Sequence, residues 1–259
     1  MAIEKDKVNI LSGLRRRKTV GSPISVFIEN KDYKIDTLPS ISNPRPGHAD
    51  LGGAIKYGTY DIRDILERSS ARETAARVAV GSISQLLLKE FKIKFLSHVV
   101  NIGGIEADTR NLTFEKIEEL SLKSELFCVD KKAAFRMMRL IDEAISAGDT
   151  LGGIFEIRIK NVPCGIGGYS QYDQRLESRL SKAIMSIQAI KGIEIGLGFN
   201  FAKSNGSKVH DEIFYSKSKK FYRTTNNAGG IEGGIATGED IVIRAVMKPI
   251  ATLRTPLRS

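Results

Sequence analysis

Four consecutive segments in the middle of the chain set the strongest limit on its fold. Lys92 to Ile102 and Gly152 to Lys160 alternate along their length, the second with Ile154, Ile157 and Ile159, and read as strands. The two segments separating them, Thr113 to Leu122 and Asp130 to Ala147, carry apolar residues at helical spacing, with Gly148 placed to end the second. Strands and helices are thus mixed without strict βα alternation. The expectation is an α+β fold rather than a doubly wound parallel sheet. In a chain of 259 residues, 41% hydrophobic content is enough to bury a core. His98 stands among apolar neighbours in the first strand and reads as a packing histidine, and Met137 and Met138 read as core filler.

Before this scaffold, Val8 to Leu11 and Pro23 to Ile28 read as short strands around a basic turn, Arg15 to Lys18, expected to be a solvated tip. Asn30 to Asn43 is polar and aperiodic and reads as a loop that delivers the chain to Arg45. Pro44 and Pro46 fix φ on both sides of that arginine, so holding it in place costs little further entropy. Gly47 and His48 follow at once.

The stretch from Pro44 to Thr74 ends at the strongest helix signal in the chain. Ser70 and Glu73 have capping-box spacing, and Ala71, Ala75, Val78, Ala79, Ser82 and Leu86 form a small-residue stripe at helical spacing. A helix is expected from Ser69 or Ser70 to about Glu90. Arg68 and Arg72 fall at its start, where the helix dipole disfavours cations. Either an anion meets the backbone N–H groups, serine hydroxyls and guanidiniums there, or Glu73 and Asp64 neutralise the arginines locally.

Beyond the scaffold, a helix is expected from about Gln174 to Ile187, followed by a glycine-punctuated strand, GIEIGLGFNF. The basic segment Ser216 to Arg223 interleaves lysines with Phe221 and Tyr222 but is short, and a solvated surface is expected there rather than a nucleic-acid site. NNAGGIEGGIATGED then places five glycines within ten residues, ahead of a strand ending at Lys248. Such a backbone can pass close to a flat or phosphorylated ligand, or it can form a tight hairpin. Neither a P-loop nor a dinucleotide fingerprint is present.

A net charge of +10 calls for anionic partners. No run of about eighteen apolar residues could span a bilayer, no signal peptide is evident at the start, and the expected location is the cytoplasm, with no membrane partner. Cys128 and Cys164 show neither metal-site nor redox spacing and are expected as thiols. No metal is expected.

PRPGHAD at Pro44 to Asp50, RSSARET at Arg68 to Thr74, NNAGGIEGG at Asn226 to Gly234 and VMKPIATL at Val246 to Leu253 together resemble chorismate synthases, in order along nearly the whole chain. The resemblance implies the family's β-α sandwich, antiparallel sheets packed with helices, as a single domain over residues 1–259. It also implies a shikimate-pathway lyase of aromatic amino acid biosynthesis. Such enzymes remove phosphate from 5-enolpyruvylshikimate 3-phosphate by 1,4-anti elimination to give chorismate, using reduced FMN without net redox change; NADPH would enter only as a reductant of the flavin. A homotetramer is implied.

Carried over residue by residue, His48 is the catalytic candidate, serving acid–base control of the reduced flavin. Arg45, Ser70 and Arg72 would meet the substrate's anionic groups. The flavin surface would draw on Ser69, Ser70 and Ala71, on Gln188 and Ala189, on Gly233, and on Lys248, Pro249, Ile250, Ala251 and Thr252. The family's Gly-Glu-Ser-His-Gly segment, with a second histidine, and its later Arg-Ser-Asp segment do not occur here. The expectation is therefore the family fold in truncated form with weak or no turnover, and the alternative is a catalytically impaired fragment that binds FMN or another anion.

Overall fold

The computed structural model describes residues 6–31 and 35–259. The chain divides into two compact units, residues 1–91 with 256–259, and 92–255.

In the first unit, β1 (Val8–Ile10) pairs antiparallel with β4 (Val26–Ile28), and the basic turn between them is a smaller hairpin of β2 (Leu14–Arg15) and β3 (Lys18–Thr19). Arg16 and Arg17 occupy positive φ at its exposed tip, where a two-residue hairpin loop demands that geometry. Two short helices follow that the sequence pattern does not announce, α1 (Asp50–Tyr57) and α2 (Arg63–Arg68). Gly58 ends α1 in the left-handed conformation. Gly53 in α1 faces Ile65 of α2 closely enough that an added Cβ would fall 2.5 Å from the Ile65 side chain.

The long helix α3 runs Glu73–Glu90, three or four residues later than the capping pattern suggests. Ser70 Oγ accepts from Arg72 N at 3.2 Å and not from Glu73 N, while the Glu73 carboxylate pairs with Arg77 one turn on. No capping box forms. Residues 69–72 instead make a turn between α2 and α3, with Ser69 Oγ donating to Ile65 O.

The second unit is built on a five-stranded antiparallel sheet ordered β6 (Ile105–Glu106), β5 (Lys94–Ile102), β7 (Gly153–Lys160), β13 (Ile241–Met247), β8 (Ile190–Ile195). Alternation sets its two faces. Ile157, Ile159, Ile243 and Ala245 share one core cluster with Ile184 of α6 (Leu176–Met185). Leu96 packs with Phe114 and Ile117 of α4 (Phe114–Ser121), and Met137 of α5 (Lys131–Ala147) packs with Val99 and Ile102. Thr113 and Asp130 cap α4 and α5 through their side chains, and Gly148 closes α5 with φ +71°.

Segment GIEIGLGFNF divides where a single strand was expected. Its first half is β8, but Gly196 and Gly198 turn the chain and Gly198–Lys203 is a 3-10 helix. The short helix α7 (Gly206–Val209) leads into an exposed hairpin of β9 (Ile213–Ser216) and β10 (Lys220–Arg223), which holds the lysine-aromatic run. The glycine-rich segment is a tight hairpin, β11 (Ile231–Glu232) with β12 (Ile235–Ala236). Cys128 is buried and Cys164 exposed, both as free thiols. Burial, opposed by a hydrogen bond to Asp130, pushes the Cys128 thiol up.

His98 is buried and faces Glu156 across the β5–β7 ladder, its Nε2 3.2 Å from Oε1. Glu156 in turn lies opposite Arg244 of β13, and Arg244 opposite Glu194 of β8. These four residues form a polar row across the sheet. Burial acts to raise the Glu156 carboxyl, but His98 and Arg158 outweigh it and hold it below its ordinary value. Among the described residues, no three metal-ligating side chains come together and no helix is long and apolar enough to cross a membrane.

Candidate active site

The residues singled out in the first unit lie in two places. One is the turn at Arg45 to His48. Pro46 and Gly47 take its two central positions, Gly47 with φ +76°, and His48 N donates to Arg45 O at 3.2 Å. The loop leading there is tied down where α2 begins. Asp61 Oδ1 accepts from Ile41 N at 3.1 Å and Arg63 N at 3.0 Å, and Arg63 Nε donates to Pro39 O at 2.6 Å.

Reversal of the chain brings three charged or titratable groups together, including one that sequence reasoning missed. Asp50, the first residue of α1, is 1% exposed. Its Oδ2 accepts from Arg45 N at 3.0 Å and Arg45 Nε at 2.9 Å, and Oδ1 from Arg45 Nη2 at 3.2 Å. The same Oδ1 makes a short contact with His48 Nδ1. Arg45 Nη2 lies 3.0 and 3.2 Å from the two ring nitrogens of His48. Burial would raise the Asp50 carboxyl, yet the hydrogen bonds from Arg45 and His48 prevail and lower it to about 2. The signal was present as the final letter of the HAD triplet, two residues beyond the histidine.

The second place is a groove of about 1020 Å³ between the β1–β4 ribbon and the start of α3. Ser70, Ala71 and Arg72 line it, with Val8, Ile28 and Val78 among its apolar walls. Ser69 lies beside it in the same turn. Arg72 is engaged by Asp6, its Nη1 and Nη2 donating to the carboxylate at 2.9 and 2.6 Å, and Nη2 also donates to Glu29 O at 3.0 Å.

In the second unit, Gln188 and Ala189 form the turn between α6 and β8, Ala189 with φ +67°. Lys248 N donates to Ala189 O at 3.0 Å, so the Lys248 to Thr252 turn leaves β13 directly beside them. Thr150 Oγ1 donates to Ile250 O at 2.8 Å. An added Cβ on Gly152 would fall 2.8 Å from Met247 O, which shows how closely the two backbones pass. A cavity of about 490 Å³ opens next to this turn, lined by Val99, Ile141 and Phe155 together with Lys248 and Ile250.

Gly233 sits at the exposed tip of the glycine hairpin with φ +60°, and a Cβ there would meet nothing within 4 Å. The hairpin is anchored from below by Asp211, which is 8% exposed and accepts from Asn227 N and Ala228 N at 2.8 Å. Unlike Asp50, this residue carried no signal in the sequence pattern. A phosphorylated, flat cofactor suits what these segments offer: a lysine, held backbone turns and a glycine whose open side admits a neighbour.

A family model described as chorismate synthase matches residues 1–259. The chain belongs to the chorismate synthase family. It is 53% identical to chorismate synthase of Desulforamulus reducens, with all of this chain and 70% of that protein covered. It is 54% identical to that of Thermoanaerobacter pseudethanolicus, covering 67% of it. A crystal structure of chorismate synthase superimposes with a TM-score of 0.85 at 47% identity, over 95% of this chain and 72% of that one. The chain therefore spans about 70% of the length of the chorismate synthases it matches. The α+β expectation holds. So does the reading of the chain as a carbon–oxygen lyase of aromatic amino acid biosynthesis, in a family that works with reduced flavin.

Proposed function

We propose that this chain converts 5-enolpyruvylshikimate 3-phosphate to chorismate in the cytoplasm, as a homotetramer, with reduced FMN held in part by the residues named above. The observation that carries the reading is the Arg45–His48–Asp50 cluster, a histidine fixed among charges on a loop that two aspartates tie down. The elimination removes phosphate and a proton from the substrate, and reduced flavin, when bound, supplies the electron-rich partner that makes C–O cleavage accessible.

This chain's own residues bind and orient. Arg72 and Ser70 present a guanidinium and a hydroxyl to the substrate's phosphate and carboxylates, and Arg45 adds positive charge beside the histidine. His48 holds or releases a proton at its ring nitrogen, in acid–base control of the cofactor's reduced form. In the first unit, Ser69 to Ala71 would offer hydroxyls and backbone groups to a flavin; in the second, Gln188, Ala189, Gly233 and Lys248 to Thr252 would offer backbone groups and one cation.

An anaerobic assay with photoreduced FMN tests the reading. Equimolar phosphate and chorismate, formed only when reduced FMN is present, are expected. Stabilisation of the fold by FMN with no chorismate formed would instead assign the chain a binding role alone. Light scattering should give four times the mass of a single chain.

A further inference from the structure

We propose that Asp50 is a positioning residue that fixes the tautomer of His48, placing the proton on Nδ1 and leaving Nε2 as the one ring nitrogen that exchanges protons with a bound partner. The inference deepens the reading of His48 given above and rests on it for its consequence in turnover. Its structural half stands apart from that reading.

The geometry is over-determined. Asp50 is 1% exposed and receives three hydrogen bonds from Arg45, two from the guanidinium and one from the backbone N–H. An ionised carboxylate only accepts hydrogen bonds. The ring nitrogen in contact with Oδ1 must therefore be the one that carries a hydrogen, and that nitrogen is Nδ1. Arg45 Nη2, although 3.0 Å from Nδ1, is itself a donor and cannot share a hydrogen with it. Its usable partner on the ring is Nε2, at 3.2 Å.

Arg45 thereby does two things. It keeps the buried Asp50 charged, and it favours an unprotonated Nε2 by offering that atom a donor. With Nδ1 protonated the basic nitrogen of the neutral ring is Nε2, which can take up a proton and return it once a bound partner displaces the Arg45 N–H, and the opposite tautomer cannot do this at the same atom. The side chain of His48 is 23% exposed and that of Arg45 is 27%, so a ligand can reach the pair while the carboxylate beneath stays buried. Position is what makes this arrangement legible. Asp50 reaches the ring because the Pro46–Gly47 turn folds the histidine back over its own flank.

Nitrogen NMR of the ligand-free protein, labelled at histidine, tests the proposal directly. The chain has three histidines, so the His48→Ala spectrum identifies the His48 signals by their loss. At a pH where the ring is neutral, the parent should show Nδ1 protonated and Nε2 bare. A dominant Nε2–H tautomer in the parent would overturn the proposal, and this measurement requires no variant to fold.

Asp50→Asn should bring the two tautomers to comparable populations and lower kcat on the order of 100-fold, with KM changed much less. Asp50→Glu should recover part of both. An unchanged tautomer ratio in folded Asp50→Asn would also contradict the assignment. If His48→Ala keeps parental activity while the tautomer result holds, then the reading of His48 in catalysis fails and the positioning relationship stands.

Discussion

The Arg72 guanidinium grips both oxygens of the Asp6 carboxylate, at 2.6 and 2.9 Å. Arg72 is proposed to meet the phosphorylated substrate, so the chain's own carboxylate lies where a ligand oxyanion would bind. Asp6 is exposed enough to be displaced, its side chain 40% accessible, and Arg72 holds its carboxyl below the ordinary value.

Removing this internal competitor should help binding. The pair is exposed and therefore weak, so Asp6→Asn should lower KM by up to about fivefold at low ionic strength. Steady-state kinetics at two salt concentrations would check this, and the gain should shrink at high salt. Arg72→Ala should raise KM.

Acid should loosen the His48 site over a definite window. The Asp50 carboxyl titrates at about 2 in the folded chain, against 3.8 ordinarily. A lowered folded value stabilises the fold above the unfolded one, so the contribution is complete above about pH 4 and disappears as pH falls toward 2. A shift of this size is worth about 2 kcal/mol. Urea unfolding of the parent and Asp50→Asn should therefore show a stability gap that narrows from pH 5 to pH 2.

Glu156 should matter to stability more than any surface carboxylate. It is 5% exposed, bonded to Arg158 at 2.7 Å and His98 at 3.2 Å, with Arg244 at 3.8 Å. Removing one partner from a buried charged network costs about 3 to 5 kcal/mol. Glu156→Ala should lose stability of that order in urea unfolding, whereas Glu119→Ala, in an exposed pairing with Lys116 and Lys123, should change it little.

Gly152→Ala tests the proposed flavin turn without substituting any of its residues. The new Cβ would press on Met247 O at 2.8 Å and Pro249 Cδ at 3.1 Å, so the Lys248 turn must shift. Overpacking of this kind costs about 1 to 3 kcal/mol. FMN titration should show affinity reduced about tenfold or more, with circular dichroism unchanged.

How far the sequence reached depends on what each signal encodes. The strands at 94–102 and 153–160 and the capped helices at 114–121 and 131–147 were readable because periodicity and caps are local. The short helices α1 and α2 were not, since neither has a side-chain N-cap such as Thr113 gives the equally short 114–121 helix, and α1 contains Gly52 and Gly53. The capping spacing at Ser70 and Glu73 misled because Arg77, one turn on, drew Glu73 away, while Ser70 bonded to Arg72 N. At the site, His48 and Arg45 stood out by type, but Asp50 and Asp211 did not. Both aspartates act through buried contacts to backbone and neighbours that only the folded chain assembles.

The central claim is that His48 serves the chorismate-forming reaction. The most direct measurement is chorismate formation by His48→Ala beside the parent, anaerobically with photoreduced FMN, after thermal unfolding has shown both to be folded. The account predicts a loss on the order of 100-fold or more. Formation of chorismate by the variant at the parental rate would contradict it.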